Sequence, residues 1–347
     1  RDPLWSRGLG DVYKRQGPTP AASTNANGTP AAANSATPSV PNAPTAASAP
    51  APSAVPGAAT PAPTRSEEVV ITTDVLRLTF DTLGAQLVRA ELLKYPATGQ
   101  PDKPTVLLDR AAGLNYVAQT GVVGAGNGQS FPTHQTPFRV VSTDRQLTGD
   151  NLDVTFEAES GGVKVTKTFT LHRGRYDIDV RHDLANVGSA PVTPALYLQL
   201  ERDGNDPADT SSFYHTFTGM AVYSEQDKFQ KMTFADIEKK KANYIKQTDN
   251  GWIAVVQHYF ATAWVPPQGK PRSNEVLEVQ KNLYAARTIE AVGEIAPGAA
   301  ARVDSHLWVG PQDQKAMAAL APGLELVVDY GWLTIIAKPL FLSLIHI

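Results

Sequence analysis

The chain has 347 residues, no cysteine, 31 basic against 34 acidic side chains and a formal net charge of -3. This near-balance, without a basic cluster interleaved with aromatics, argues against a nucleic-acid partner. The missing cysteine removes thiol catalysis, cysteine zinc sites and disulfides together. No apolar run reaches the roughly 18 residues that a transmembrane helix needs.

Residues 1–16 (RDPLWSRGLGDVYKRQ) and 342–347 (LSLIHI) resemble translated library-adapter sequence and are expected to be non-native. On that expectation the natural protein continues in both directions, with a signal anchor before and a membrane bundle after this segment. Residues 17–66 form a linker; as far as Thr64 it contains only Ala, Pro, Ser, Thr, Asn, Gly and Val. Such a stretch buries too little surface to offset its chain entropy and is expected to be a disordered, partly polyproline spacer.

Residues 67–326 are the right size for one large all-β domain. Leu76, Leu78 and Phe80 alternate with Arg77 and Thr79, and Tyr176, Ile178 and Val180 alternate with Asp177, Asp179 and Arg181. A period of 2 gives each strand one buried and one wet face. Val163, Val165, Phe169 and Leu171 share a side with Lys167, while Thr166, Thr168 and Thr170 take the other; Leu196, Leu198 and Leu200 mark a further strand. Turn signals recur at Ser160-Gly161-Gly162, Arg173-Gly174, Asn186-Val187-Gly188, Asp203-Gly204-Asn205 and Asn250-Gly251. Short strands joined by such turns predict an antiparallel sandwich.

Gly124-x-Gly126-x-Gly128 is followed by no Lys-Ser/Thr and opens no helix, so it reads as a loop, not a phosphate cradle. Lys239-Lys240-Lys241 follows Asp236 and Glu238 and reads as a solvated face. The histidines show no metal-ligand spacing, and no metal or other cofactor is expected. His258, between Gln257 and Tyr259 in an apolar strand, is expected to donate a hydrogen bond within the sheet. The aromatic group Trp252, Tyr259, Phe260 and Trp264 reads as core.

A helix is predicted over 311–321, with Pro311 in its first turn, strong helix formers inside and Pro322-Gly323 beyond. It leads into a membrane-interface helix at 327–341, interrupted near Pro339. On a helical projection Trp332, Leu333, Ile335, Ile336 and Leu340 form an apolar stripe flanked by Tyr330 and Phe341, and Lys338 can snorkel to phosphate.

Three segments carry a resemblance: Gly251 to Pro266 (GWIAVVQHYFATAWVP), Leu307-Trp308-Val309-Gly310-Pro311, and Val328-Asp329-Tyr330-Gly331-Trp332-Leu333. With weaker agreement at Lys167-Thr168-Phe169 and His215-Thr216-Phe217, they resemble the large periplasmic domain of YidC-type membrane-protein insertases. The resemblance covers about Val69 to Phe341. It implies a β-supersandwich on the periplasmic side of the bacterial inner membrane, in a protein that is not an enzyme. The implied partners are client membrane proteins, Sec translocon subunits and the lipid bilayer surface. The alternative is a carbohydrate-binding or carbohydrate-epimerising sandwich with a His acid and a Glu base, for which Glu201 and Glu290 are the candidates.

Overall fold

The computed structural model describes residues 66–111, 113–124, 130–207 and 217–328. Residues 17–65 of the linker and both chain ends lie outside them, as do Gly126, Gly128 and His215. The chain runs β1 (Glu68–Thr72), β2 (Leu76–Asp81), β3 (Gln86–Ala97), β4 (Gln100–Leu108), β5 (Tyr116–Gly124), β6 (Arg139–Val140), β7 (Asn151–Ser160), β8 (Val163–His172) and β9 (Asp177–Asn186). It continues through β10 (Pro194–Asp203), β11 (Gly219–Ser224), β12 (Lys228–Met232), a short helix α1 (Phe234–Glu238), β13 (Gln247–Thr248), β14 (Trp252–Gln257) and β15 (Phe260–Val265). β16 (Arg272–Gln280), β17 (Leu283–Ala291), β18 (Ala300–Pro311), α2 (Gln314–Leu320) and a 3-10 turn (Leu324–Val327) complete it.

Two nine-stranded antiparallel sheets result. The first runs β1-β2-β3-β5-β10-β17-β16-β13 with β4 on β3; the second runs β12-β11-β14-β15-β18-β9-β8-β7-β6. Each of the five predicted turn signals falls between consecutive strands. The alternating residues set the faces: Leu78 and Phe80 of the first sheet pack with Val165, Phe169, Ile178 and Val180 of the second in one core. Phe80, Phe156 and Phe169 meet there at ring separations of 4.8–6.0 Å, and apolar burial of this extent is the main favourable term in folding.

Lys167 follows the alternation and sits fully buried in that core. It leaves β8, crosses between the sheets and donates from Nζ to the carbonyls of Gly84 (2.7 Å) and Thr120 (2.8 Å). The Phe138 ring lies 4.4 Å from the ammonium. Gly84 has φ +78°, and a Cβ there would stand 2.1 Å from the His134 carbonyl oxygen, so only glycine presents its carbonyl this way. His182, the cross-strand neighbour of Lys167, bonds the Thr120 hydroxyl at 2.9 Å through Nε2.

Burial lowers the pKa of Lys167 to about 7 and, with the Lys167 charge, that of His182 to about 3. Between about pH 7 and the ordinary lysine value the unfolded chain binds the proton that the folded chain has lost, so stability rises with pH there. In urea denaturation of wild type and Lys167→Met at pH 6.5 and 9.5, the wild-type advantage should therefore grow with pH. An advantage equal at both pH values would show that the lysine is not desolvated.

Candidate interaction faces

The predicted interface residues Tyr330, Trp332, Leu333, Ile335, Ile336, Lys338, Leu340 and Phe341 lie outside the described residues, which end at Val328. The segment leading to them is described, and it corrects the expected helix. Pro311 is not in a first helical turn; it is the last residue of β18, paired with Phe260. Asp313 is the N-cap instead, its carboxylate accepting from the N–H groups of Lys315 (3.0 Å) and Ala316 (3.1 Å). Proline suits the end of the strand because the main-chain bonds pass to Gln312, whose N–H donates to the Tyr259 carbonyl at 2.8 Å.

α2 and the 3-10 turn pack on the outer face of the second sheet. There Ala221, Ala254, Ala263 and Trp308 lie side by side across β11, β14, β15 and β18. Met317, Ala321, Leu324 and Val327 press on this platform and are all buried. Small side chains let the helix approach the sheet closely enough to leave no void between them. Trp252 donates its indole N–H to the Pro322 carbonyl (3.1 Å) and stacks on Tyr223 (5.4 Å between centroids). Gly323, at φ +76°, lies against that tyrosine, where a Cβ would stand 2.3 Å from the ring.

The other half of the same face is charged. His172 Nε2 and His306 Nδ1 each bond Asp179, at 2.8 Å, from three neighbouring strands. Burial raises the Asp179 pKa, but the two imidazole hydrogen bonds outweigh it and hold the carboxyl below its ordinary value. Sequence spacing missed this cluster because β18 joins β9 from more than a hundred residues away, and only the register brings His306 opposite Asp179. Among the described residues no group of His, Asp or Glu side chains is arranged to hold a metal ion.

His258 is also corrected. It occupies the turn between β14 and β15, beside Tyr259, whose φ of +64° and 67% exposure mark the tip of the hairpin. Trp252, Phe260 and Trp264 are core, whereas Tyr259 is not. The apolar run hid a tight turn with no glycine, so pattern alone carried the strand through it.

Glu201 and Glu290, the carbohydrate candidates, fall on opposite faces of the first sheet, since Glu201 shares the outer face with Gln199 and Arg287, and Glu290 is three residues from Arg287. Burial raises the pKa of both. On the outer face a row of side chains crosses the sheet: Gln199 donates to Gln119 (2.6 Å), Gln119 to Gln86 (2.9 Å), and Arg287, directly opposite Gln199, donates to Glu275 (2.7 Å). Glu201 accepts from Asn115 at 2.6 Å. His134 meets this face at Tyr197, bonding its hydroxyl at 2.6 Å, and burial with the Lys167 and Arg287 charges lowers its pKa to about 4. Tyr197 and Glu201 are four residues apart on β10, roughly 13 Å along a strand, too far for one proton-transfer pair.

Fold and faces define a large antiparallel sandwich domain whose described residues bring neither candidate glutamate into a pair with a histidine. Its C-terminal helix is clamped to an alanine platform. The chain belongs to the family described as the YidC periplasmic domain, which matches residues 68–343. It is 80% identical over 277 residues to the membrane protein insertase YidC of Bordetella parapertussis, covering 80% of this chain and 49% of that protein. It is 75% identical to that of Bordetella petrii over 93% of this chain and 58% of that protein, and 46% identical to that of a Janthinobacterium species over 82% and 50%. The chain thus spans about half the length of these relatives. Among solved structures, a galactose mutarotase related enzyme from Lactobacillus acidophilus is similar with a TM-score of 0.45 at 7% identity, over 70% of this chain and 97% of that one. A likeness that distant carries no argument about activity.

The platform sets a limit on side-chain size. Ala263→Leu should destabilise the protein by about 1–3 kcal/mol through overpacking, with amide exchange accelerating at 314–327. Lost stability with unchanged protection of 314–327 would mean that the platform does not hold the helix.

Proposed function

We propose that this chain is the periplasmic part of an inner-membrane insertase that assists the insertion and folding of membrane proteins, alone or beside the Sec translocon. The observation that carries the proposal is the family match over 68–343 together with relatives named membrane protein insertase. The domain does no bond-making in this reading; insertion is driven by transfer of apolar side chains from water to lipid. Residues 330–341 then lie on the bilayer, with Trp332, Leu333, Ile335, Ile336 and Leu340 in the headgroup boundary. At about 25 cal/mol per Å² such a stripe contributes several kcal/mol, enough for reversible attachment.

A chimaera tests the assignment: the Bordetella parapertussis insertase carrying residues 68–343 of this chain in place of its own counterpart should restore insertion of a tester inner-membrane protein in insertase-depleted cells. A chimaera that is present at normal levels but does not restore insertion would sink it. For the bilayer contact, Trp332→Asp with Ile336→Asp should weaken flotation of the chain with anionic liposomes while the melting temperature stays within error. Intact flotation with a collapsed melting transition would place these residues in the sandwich core instead.

A further inference from the structure

Among the described residues β12 is an edge strand of the second sheet, and its Phe229 stands opposite Tyr223 of β11. Gly323 lies against the ring of that tyrosine, so the 3-10 turn that follows starts at the β11–β12 border. Leu324 and Val327 of the turn are buried on the platform, whereas Leu326 faces out at 44% exposure. Phe229 is half-buried, 5.7 Å from the Trp252 ring, and Phe217 is half-buried against the same cluster. Lys231 is exposed and carries its ammonium 5.0 Å from the Phe217 ring and 5.6 Å from that of Phe229. An open leucine, two half-open rings and a lysine laid over them thus share the rim from which the C-terminal chain departs. Aromatic and aliphatic bodies beside a long cation are what a headgroup region favours.

Chain length brings this rim to the lipid. Tyr330, where the proposed bilayer segment begins, is two residues beyond Val328 and four beyond Leu326. Two residues reach at most about 7 Å even when fully extended, no more than the roughly 5–8 Å depth of the headgroup layer on each side of a bilayer. A segment that lies on the membrane from Tyr330 onward therefore holds the folded surface around Val328 against the headgroups.

The charges along the rim decide what kind of contact this is. Lys228 and Lys231 of β12 do not outnumber Glu225 and Asp227 in the turn before it and Glu325 in the 3-10 turn. Attraction of a basic patch to anionic lipid is therefore not what holds the edge. Transfer of Leu326 and the phenylalanine rings out of water is, with the Lys231 ammonium carried on its apolar stem to the phosphates.

We infer that the β11–β12 border of the second sheet is itself a bilayer-contact surface, with Leu326, Phe217 and Phe229 at the headgroup boundary and Lys231 at lipid phosphate, so that the domain rests on the membrane by a folded edge. The inference rests on the proposed placement of residues 330–341. The chain has no cysteine, so Leu326→Cys and Val187→Cys each create a single labelling site. Val187 is a remote control, 51% exposed after β9, which lies five strand spacings from β12, about 24 Å. Each full-length variant is labelled with nitrobenzoxadiazole and mixed with vesicles of phosphatidylethanolamine and a minority of phosphatidylglycerol, with and without spin-labelled lipid. Emission at 326 should rise on the vesicles and be quenched by the spin-labelled lipid, while emission at 187 stays unchanged. Leu326→Asp with Lys231→Glu, both at exposed positions, should weaken flotation about tenfold and leave the melting temperature unchanged. Equal behaviour at 326 and 187 in a chain that floats, or flotation indifferent to the double variant, would overturn the inference and leave the contact at 330–341 standing. A chain that does not float loses both contacts, and the chimaera still tests the insertase assignment separately.

Discussion

A few directional hydrogen bonds fix the two sheets to each other: Trp264 to the Gln199 carbonyl, Tyr116 with Thr262, His182 with Thr120, and two from the buried amine of Lys167. Lys167 belongs by sequence to β8 of the second sheet, yet its main-chain acceptors are Thr120 on β5 of the first and Gly84 in the turn between β2 and β3 of the first. Apolar contacts between sheets are tolerant of sliding, because dispersion has little direction. A hydrogen bond in a low-dielectric interior is directional and strong, so these bonds together select one alignment among many that would bury similar area. Gly84 bends back with a positive φ to offer its carbonyl, and His182 holds Thr120 from the same side. The order of strands can be satisfied by many sequences; this alignment needs these few groups.

Much of the strand pattern was legible because many strands alternate apolar with polar residues. Leu76 to Phe80 and Ile178 to Val180 announce their buried faces through the charged or hydroxylated residues between them, and the structure buries them as read. Where both faces are covered and both are apolar the signal fails, whereas β10, buried throughout, stayed legible because Gln199 and Glu201 alternate with its leucines. β14 and β15 are buried throughout, so the turn at His258-Tyr259 disappeared into a continuous apolar run. The placement of Lys167 on the apolar side was visible, but its acceptors were not, since both are main-chain oxygens and no residue type reports them. Pairings between distant strands were equally silent: nothing local links His172 and Asp179 to His306, or Gln86 to Gln119 and Gln199. Pro311 misled for a definite reason, since proline is compatible with the first turn of a helix and with the terminus of a strand.

The outer face of the second sheet is divided along β18. Toward β11 it is made of alanines and tryptophans under α2, and toward β8 it carries Asp179 with its two histidines and Asp183 held by Arg181 and Arg302. Surface ion pairs of that kind contribute little to stability. Their effect is to keep one half of the sheet wet, so that the C-terminal helix has a single apolar place to settle. The first sheet solves the corresponding problem differently, with an amide row across β3, β5 and β10 that would turn into the core if any of these strands slipped by one residue.

β18 is the last strand in the sequence and one of the innermost in its sheet, inserted between β15 and β9. Likewise β17 and β16, late in the chain, pair beyond β10 in the first sheet. Closing these ladders joins residues far apart in sequence, which makes folding slow and leaves open strand edges during the wait. As the chain is synthesised, then, the strands of the first sheet are all present by Ala291, but the second sheet cannot be finished until residues near 311 are free to pair, and β9 and β15 each keep an unpaired edge until that moment. The domain cannot mature in halves: its folding is gated by its final strand, and an interruption shortly before that strand would yield a sticky intermediate, not a smaller stable domain.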